Sequence, residues 1–207
     1  DLCRPPKVTF HWETSVKVRW KSDNPLEDTA GMCFCCWKMP LNNPLVNAIE
    51  NHDDFENTVF LGLQPRGTLL LDKIVALLQE ISGVMVPSGY LDATFHRDDF
   101  RRRDFPLKAN ETKIDFLVEG KKVVLIDDVL YKGRSVRAAM DAMIAFGRPQ
   151  KVELMVLVDR RLTRDYPILP DYYGVKVNTL DSQYVVVEWV AQGNPADAIW
   201  ITEKVTS

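Results

Sequence analysis

The chain has 207 residues, 46% of them hydrophobic, with 26 basic side chains against 29 acidic ones. That length suits one domain with a sizeable core, alone or with a small appendage. The net charge of −3 excludes bulk basicity as a route to nucleic acid and leaves only a local basic face, and no apolar run approaches the roughly 18 residues that span a bilayer.

The first 44 residues differ in character from the rest. Cys3, Cys33, Cys35 and Cys36 all fall there, so the remaining chain needs no disulfide and a cytoplasmic setting is expected. The opening residues are mixed and polar, unlike a signal sequence. The cysteines and His11 lack the paired spacing of a zinc knuckle. Residues Val16 to Trp20 alternate and read as an edge strand or hairpin arm, and Asp23-Asn24-Pro25 reads as a turn. Pro44 to His52, with Leu45, Val46 and Ile49 at helical spacing, reads as a short helical stretch.

From residue 55 onward, strands alternate with helices. Thr58 to Leu63 reads as a buried strand, followed at once by Gln64-Pro65-Arg66-Gly67. Leu70, Ile74, Leu77, Leu78 and Ile81 then mark one helix face, ending at Gly83. Val84 to Phe95 reads as a strand bent near Pro87-Ser88-Gly89, running into the charged stretch from His96 to Asp104. Val123 to Ile126 is a strand buried on both faces, with Asp127 and Asp128 at its end. A loop with Gly133 leads into a helix with Val136, Ala139, Met140, Met143 and Ile144 on its apolar face, stopped by Gly147 and Pro149. Val152 to Val158 is a further buried strand, ending in Asp159-Arg160-Arg161. Tyr184 to Glu188 and Ile199 to Thr202 read as late strands, with Trp189 and Trp200 packed. The pattern predicts an α/β fold, a mainly parallel twisted sheet flanked by helices with a small hood.

The chemistry concentrates where these strands end. A loop entering a helix offers unpaired backbone N–H groups and the positive end of the helix dipole, which suit a phosphate. Two adjacent carboxylates can accept hydrogen bonds from sugar hydroxyls or hold Mg²⁺. Together they suggest a phosphorylated sugar; the plainer alternative is a solvated acidic turn. In an open α/β sheet such loops gather at one edge, so Arg66 is expected to share a crevice with Asp127, its planar donor fork suited to a pyrophosphate. No G-x-G-x-x-G follows any strand, against a dinucleotide site.

Val-Val-Leu-Ile-Asp-Asp-Val-Leu-Tyr-Lys-Gly-Arg-Ser, residues 123–135, resembles the phosphoribosyl-pyrophosphate (PRPP) motif of type I phosphoribosyltransferases. Together with the segments 62–67, 91–99, 137–142 and 157–160, the match extends over roughly residues 45–190 and resembles the pyrimidine operon attenuator family, regulators that are also uracil phosphoribosyltransferases. The resemblance divides the chain into an atypical segment, 1–44, which lacks the family's long N-terminal helix, and a phosphoribosyltransferase-like domain, 45–207. It implies that PRPP is held by Asp127, Asp128, Val129, Leu130, Tyr131, Lys132, Gly133, Arg134 and Ser135. Gln64, Pro65, Arg66, Gly67 and Arg97 would take the pyrophosphate, and Val158, Asp159 and Arg160 the base. Asp127, Asp128 and Arg66 would be catalytic. The charged stretch after His96 would be a mobile loop closing over PRPP.

Mg²⁺ would arrive with PRPP, no metal being held by the protein alone, and uracil would be converted to UMP in a homo-oligomer that does not engage membranes. The alternatives are a non-catalytic, nucleotide-sensing attenuator and a transferase for another base. Two departures bear on this. Lys132 stands where the family has Thr, exchanging a compact hydroxyl for a point charge, and Arg161-Leu162 stands where it has Gly-His. A messenger-RNA leader is a further implied partner. Residues 1–44 hold six basic and five acidic side chains, leaving 20 against 24 for the rest. Arg101-Arg102-Arg103 and the group Arg160, Arg161 and Arg164 are then the densest basic candidates, and neither is an independent platform, which ranks transfer above RNA regulation.

Overall fold

The computed structural model describes residues 17–21, 55–83, 85–98, 110–180 and 182–203. The cysteine cluster, the stretch from Pro44 to His52 and Arg101 to Arg103 lie outside them. Strand β1 is Lys17–Lys21, overlapping the alternating segment Val16 to Trp20 expected as an edge strand. The main sheet contains β2 (Thr58–Leu63), β3 (Ser88–Leu91), β4 (Lys122–Leu130), β5 (Lys151–Arg161) and β6 (Tyr172–Asn178). These strands lie in the order β3-β2-β4-β5-β6, and every pairing is parallel. A second sheet, the hood, joins β1 to β7 (Gln183–Glu188) and β8 (Ala198–Glu203) in the order β1-β8-β7.

Helices cover both faces of the main sheet, which explains the unbroken apolar runs of its central strands. Successive residues point to opposite sides. Phe60, Val124, Ile126 and Met155 pack with Leu70, Leu71, Ile74 and Leu78 of helix α1 (Gly67–Ser82). Val59, Leu61, Val123, Leu125 and Val156 pack with Val136, Ala139 and Met143 of helix α2 (Arg134–Met143). The hood adds Val187, Trp189 and Ile199 to the α1 side. It is tied there by Lys73, whose ammonium lies 2.6 Å from the Asp197 carboxylate, and by Arg66, which donates to the Val187 carbonyl. Gly83 ends α1 as expected, in the left-handed conformation at φ +69°, its N–H donating to the Gln79 carbonyl.

Four sequence expectations are corrected. The strand that was to end at the carboxylates continues through them, paired with β5 as far as Leu130 with Asp159. The apolar face of α2 includes Ala138 and Ala142, while Met140 and Ile144 are 37% and 67% exposed. The helix stops at Met143, and a tighter 3-10 turn over Ile144–Phe146 carries Ile144 outward. Among the described residues from 85 to 95 only β3 is strand, and Thr94–His96 forms a 3-10 turn whose Thr94 N–H donates to the Asp92 carboxylate at 2.9 Å. Strand β6 was not foreseen, although Tyr172, Val175 and Val177 are buried between more exposed neighbours.

Candidate active site

Beyond Gly62, paired with Ile126, β2 gives β4 no further partner, whereas β5 supports β4 to its end. The overhanging part of β4 therefore faces the loop between β2 and α1, and this overhang carries Asp127 and Asp128. The loop approaches so closely that a Cβ on Gly67 would stand 2.4 Å from the Ile126 carbonyl and 3.0 Å from the Asp127 Cα. Only glycine lets α1 begin there. This contact delivers Arg66, whose Nε lies 2.8 Å from Oδ2 of the buried Asp128, a charge contact without hydrogen-bond alignment. Arg66 and the carboxylates are thus brought together as the sequence predicts.

The pair sits in a strained electrostatic balance. Asp127 accepts the backbone N–H of Asp128 at 2.9 Å. Burial, and then the neighbouring Asp128 charge, hold the Asp127 carboxyl well above the ordinary carboxylate range. Asp128 is raised by burial too, with Arg66 opposing the shift.

The second loop lines a cavity of about 710 Å³, whose wall includes Asp127, Val129, Leu130 and every residue from Tyr131 to Ser135. Gly133, at φ +86°, turns the chain into α2 and leaves that helix's first N–H groups without a side-chain cap. Lys132 is 3.6 Å from the Asp165 carboxylate. Arg134 donates to Asp165 through Nε at 2.9 Å and also pairs with Asp98, to which the Tyr166 hydroxyl donates at 3.1 Å. Arg97 was expected with the pyrophosphate group. It lies instead against the second loop, donating to Ser135 Oγ at 3.1 Å, because the Thr94–His96 turn packs against α2. Gln64 and Pro65 are joined by a cis peptide bond, and the Gln64 side chain donates to the Glu111 carbonyl at 2.6 Å.

The expected base group is placed differently from a simple contact set. Val158 is fully buried in the α1-side core. Asp159 is buried and paired at 2.5 Å with Arg164, which also donates to the Tyr131 carbonyl. Arg160 is buried and donates to Thr179, Leu180 and Gln183. Asp98, Asp165 and Tyr166 were missed as site neighbours. Their signal was the mixed charge around Arg164-Asp165-Tyr166, which composition alone reads as a solvated turn.

A phosphate-sized anion can be met by the start of α2, sugar hydroxyls by the carboxylates, and a second anionic group by Arg66. Sheet, hood and these loop positions define a type I phosphoribosyltransferase, and residues 43–192 match the family model of the phosphoribosyl transferase domain. Within that class, the chain belongs to the PyrR family. It is 42% identical over 151 residues to the bifunctional protein PyrR of Geobacter sp. (strain M21), covering 73% of this chain and 85% of that one. It is 45% identical over 139 residues to its namesake from Microcystis aeruginosa, covering 67% and 77%. Among solved structures, the HGPRT-ase of Leishmania tarentolae in complex with GMP shares the fold, with a TM-score of 0.54 and 15% identity over 79% of this chain and 85% of that one.

Proposed function

We propose that the protein transfers the phosphoribosyl group of PRPP to uracil, giving UMP and pyrophosphate, and that it also serves as a pyrimidine-responsive regulator acting on a messenger-RNA leader. The observation that carries the transfer is the Asp127–Asp128 pair where β4 overhangs β2, with Asp128 buried beside Arg66 and Asp127 half-buried on the wall of the cavity. In this reading, the bond from the ribose anomeric carbon to pyrophosphate breaks as a bond from a uracil ring nitrogen to that carbon forms, and the proton of that nitrogen passes to water. Asp127 and Asp128 accept hydrogen bonds from the ribose hydroxyls and orient the ring. Tyr131 to Ser135 hold the 5′-phosphate by backbone N–H groups and the Ser135 hydroxyl, with Arg97 beside it. Arg66 leaves Asp128 for the pyrophosphate, where an always-charged fork stabilises the growing negative charge.

The site fits Mg²⁺ carried by the substrate. Its donors are hard carboxylate oxygens, and among the described residues no cluster of three His, Cys, Asp or Glu forms a cage. Mg²⁺ commonly keeps its waters and substrate phosphates and takes only one or two carboxylates. When bound, it would offset charge on the leaving pyrophosphate. We place the protein in the cytoplasm, a reading supported by the soluble chemistry of PRPP and uracil, and treat residues 45–207 as the catalytic unit.

The test is turnover with PRPP, Mg²⁺ and a panel of free bases. UMP formation is expected; conversion of a purine in its place would reassign the acceptor, and no turnover with any base would leave only a nucleotide-sensing attenuator. Regulation is tested by filter binding to the protein's own leader RNA at several salt concentrations, with and without UMP. UMP-enhanced binding with a steep salt slope is expected of phosphate contacts. The platform must lie beyond Arg160 and Arg164, which are engaged inside the fold.

A further inference from the structure

In the transfer reading, with the phosphate at the α2 side and the pyrophosphate at the Arg66 side, the acceptor base approaches over the end of β5, next to the segment between β6 and β7. Arg160 stands between these parts. It is 3% exposed and does not line the cavity. Its guanidinium carbon lies 3.8 Å from the centre of the Tyr131 ring, the first residue of the phosphate loop. On its other side, Nε donates to Thr179 Oγ1 at 2.9 Å, and Nη2 donates to the Gln183 carbonyl at 2.9 Å and the Leu180 carbonyl at 3.5 Å.

We propose that Arg160 is a positioning residue for the acceptor base: braced on Tyr131, it sets the place of the wall formed by Thr179, Leu180 and Gln183. This rests on the transfer reading above. Arg160 then acts on the base through this wall rather than by touching it.

The two ends of the brace are not equally dependent on it. The phosphate loop has other supports. Arg164 donates to the Tyr131 carbonyl, the N–H groups of Asp165 and Tyr166 reach the Lys132 carbonyl at 3.1 and 3.2 Å, and β4 pairs with β5 up to Leu130. In the wall, the Leu180 N–H to Gln183 Oε1 and Gln183 N–H to Leu180 carbonyl bonds, each 3.0 Å, fix the segment's shape, and its ends are carried by β6, paired with β5 as far as Asn178, and by β7, paired with β8 from Gln183. Arg160 sets how the turn between those ends lies against Tyr131, so its loss shifts the turn and spares the loop. Lysine cannot substitute, because one ammonium offers neither a planar face to Tyr131 nor a fork spanning a hydroxyl and two carbonyls.

The experiment compares the full chain with Arg160→Lys, Arg160→Met and Thr179→Val, measuring KM for uracil and for PRPP, and PRPP·Mg²⁺ affinity by calorimetry. Displacement of a reacting group by an ångström costs up to about a hundredfold. The expected result is a rise of about tenfold or more in the uracil KM of both Arg160 variants. A smaller rise is expected in Thr179→Val, with PRPP affinity unchanged throughout. If PRPP affinity falls in step with the uracil KM, Arg160 supports the whole cleft and the proposal is overturned; unchanged uracil KM overturns it equally. Should Arg160→Met fail to fold, Arg160→Lys and Thr179→Val make the same discrimination. Wild-type protein inert toward uracil sinks the transfer reading itself, whereas active wild type with indifferent variants sinks only Arg160.

Discussion

The β2–α1 loop and the β4–α2 loop are the same local device, a strand turning through glycine into a helix, yet they handle charge in opposite ways. Arg66 in the first faces the buried Asp128. Lys132 and Arg134 in the second face the partly exposed Asp98 and Asp165. Exposed pairs exchange partners at little cost, whereas a buried carboxylate deprived of its partner is left desolvated. In the proposed transfer, the first loop exchanges one specific partner for a ligand, and the second meets an anion without committing to any one contact.

The glycines sharpen the contrast most. Gly67→Ala is expected to reduce turnover by about a hundredfold or more, the scale of an ångström-level misplacement, since its Cβ would strike the Ile126 carbonyl and the Asp127 Cα, both backbone. Gly133→Ala meets side-chain atoms alone, Ile168 Cδ1 at 3.3 Å and Tyr166 Cβ at 3.4 Å, so its main cost is the left-handed backbone, about 1–2 kcal/mol of stability. Steady-state kinetics and urea unfolding of the two variants would show it; equal losses of turnover would erase the distinction between the loops.

The carboxylates come next. Asp127→Asn and Asp128→Asn are each expected to weaken Mg²⁺-dependent PRPP binding by about 1–3 kcal/mol, the scale of a lost charge-assisted hydrogen bond. Calorimetry would read this directly, and unchanged affinity in both variants would remove the site from the account.

A pH effect follows from Asp127. Its carboxyl is raised in the folded chain, so the native state binds more protons than the unfolded state between the ordinary carboxylate range and the raised value. The free protein should lose stability as pH rises through that window, and Asp127→Asn should flatten this slope. Parallel stability-versus-pH curves for wild type and variant would contradict the burial argument.

The smallest effect is expected at the second loop. Lys132→Thr should leave kcat/KM equal or higher, because it restores a short hydroxyl donor and removes only a half-exposed cation 3.6 Å from Asp165. A loss of about a hundredfold, roughly 2.7 kcal/mol, would instead make Lys132 an adapted phosphate ligand.

What was legible in the sequence follows the physics of each part. Residues 59–63 and 123–126 are apolar throughout because helices cover both sheet faces. The Asp-Asp pair and the Arg66 loop stand out because polar groups follow those runs abruptly. The partners of Arg160 were not legible, since Thr179 and Gln183 are nearly 20 residues or more away in sequence and are joined to it only by the return of β6. The strand extending past Asp127 was hidden for a related reason: its pairing is set by β5, and two carboxylates read locally as a strand end.

The N-terminal segment, so unlike the family in sequence, gains a role from one pairing. Through β1 it lies along β8 in parallel register from Lys17 with Ala198 to Lys21 with Thr202. That makes Ala-Ile-Trp-Ile-Thr-Glu, an apolar and strand-prone run, the middle of its sheet rather than the rim. A rim of this composition would present open backbone donors and acceptors to any passing strand, including the same run in another copy. Strand β1 thus works as a selvedge: it finishes an edge that would otherwise fray into association between molecules, and a chain cut back to residues 45–207 would inherit that edge.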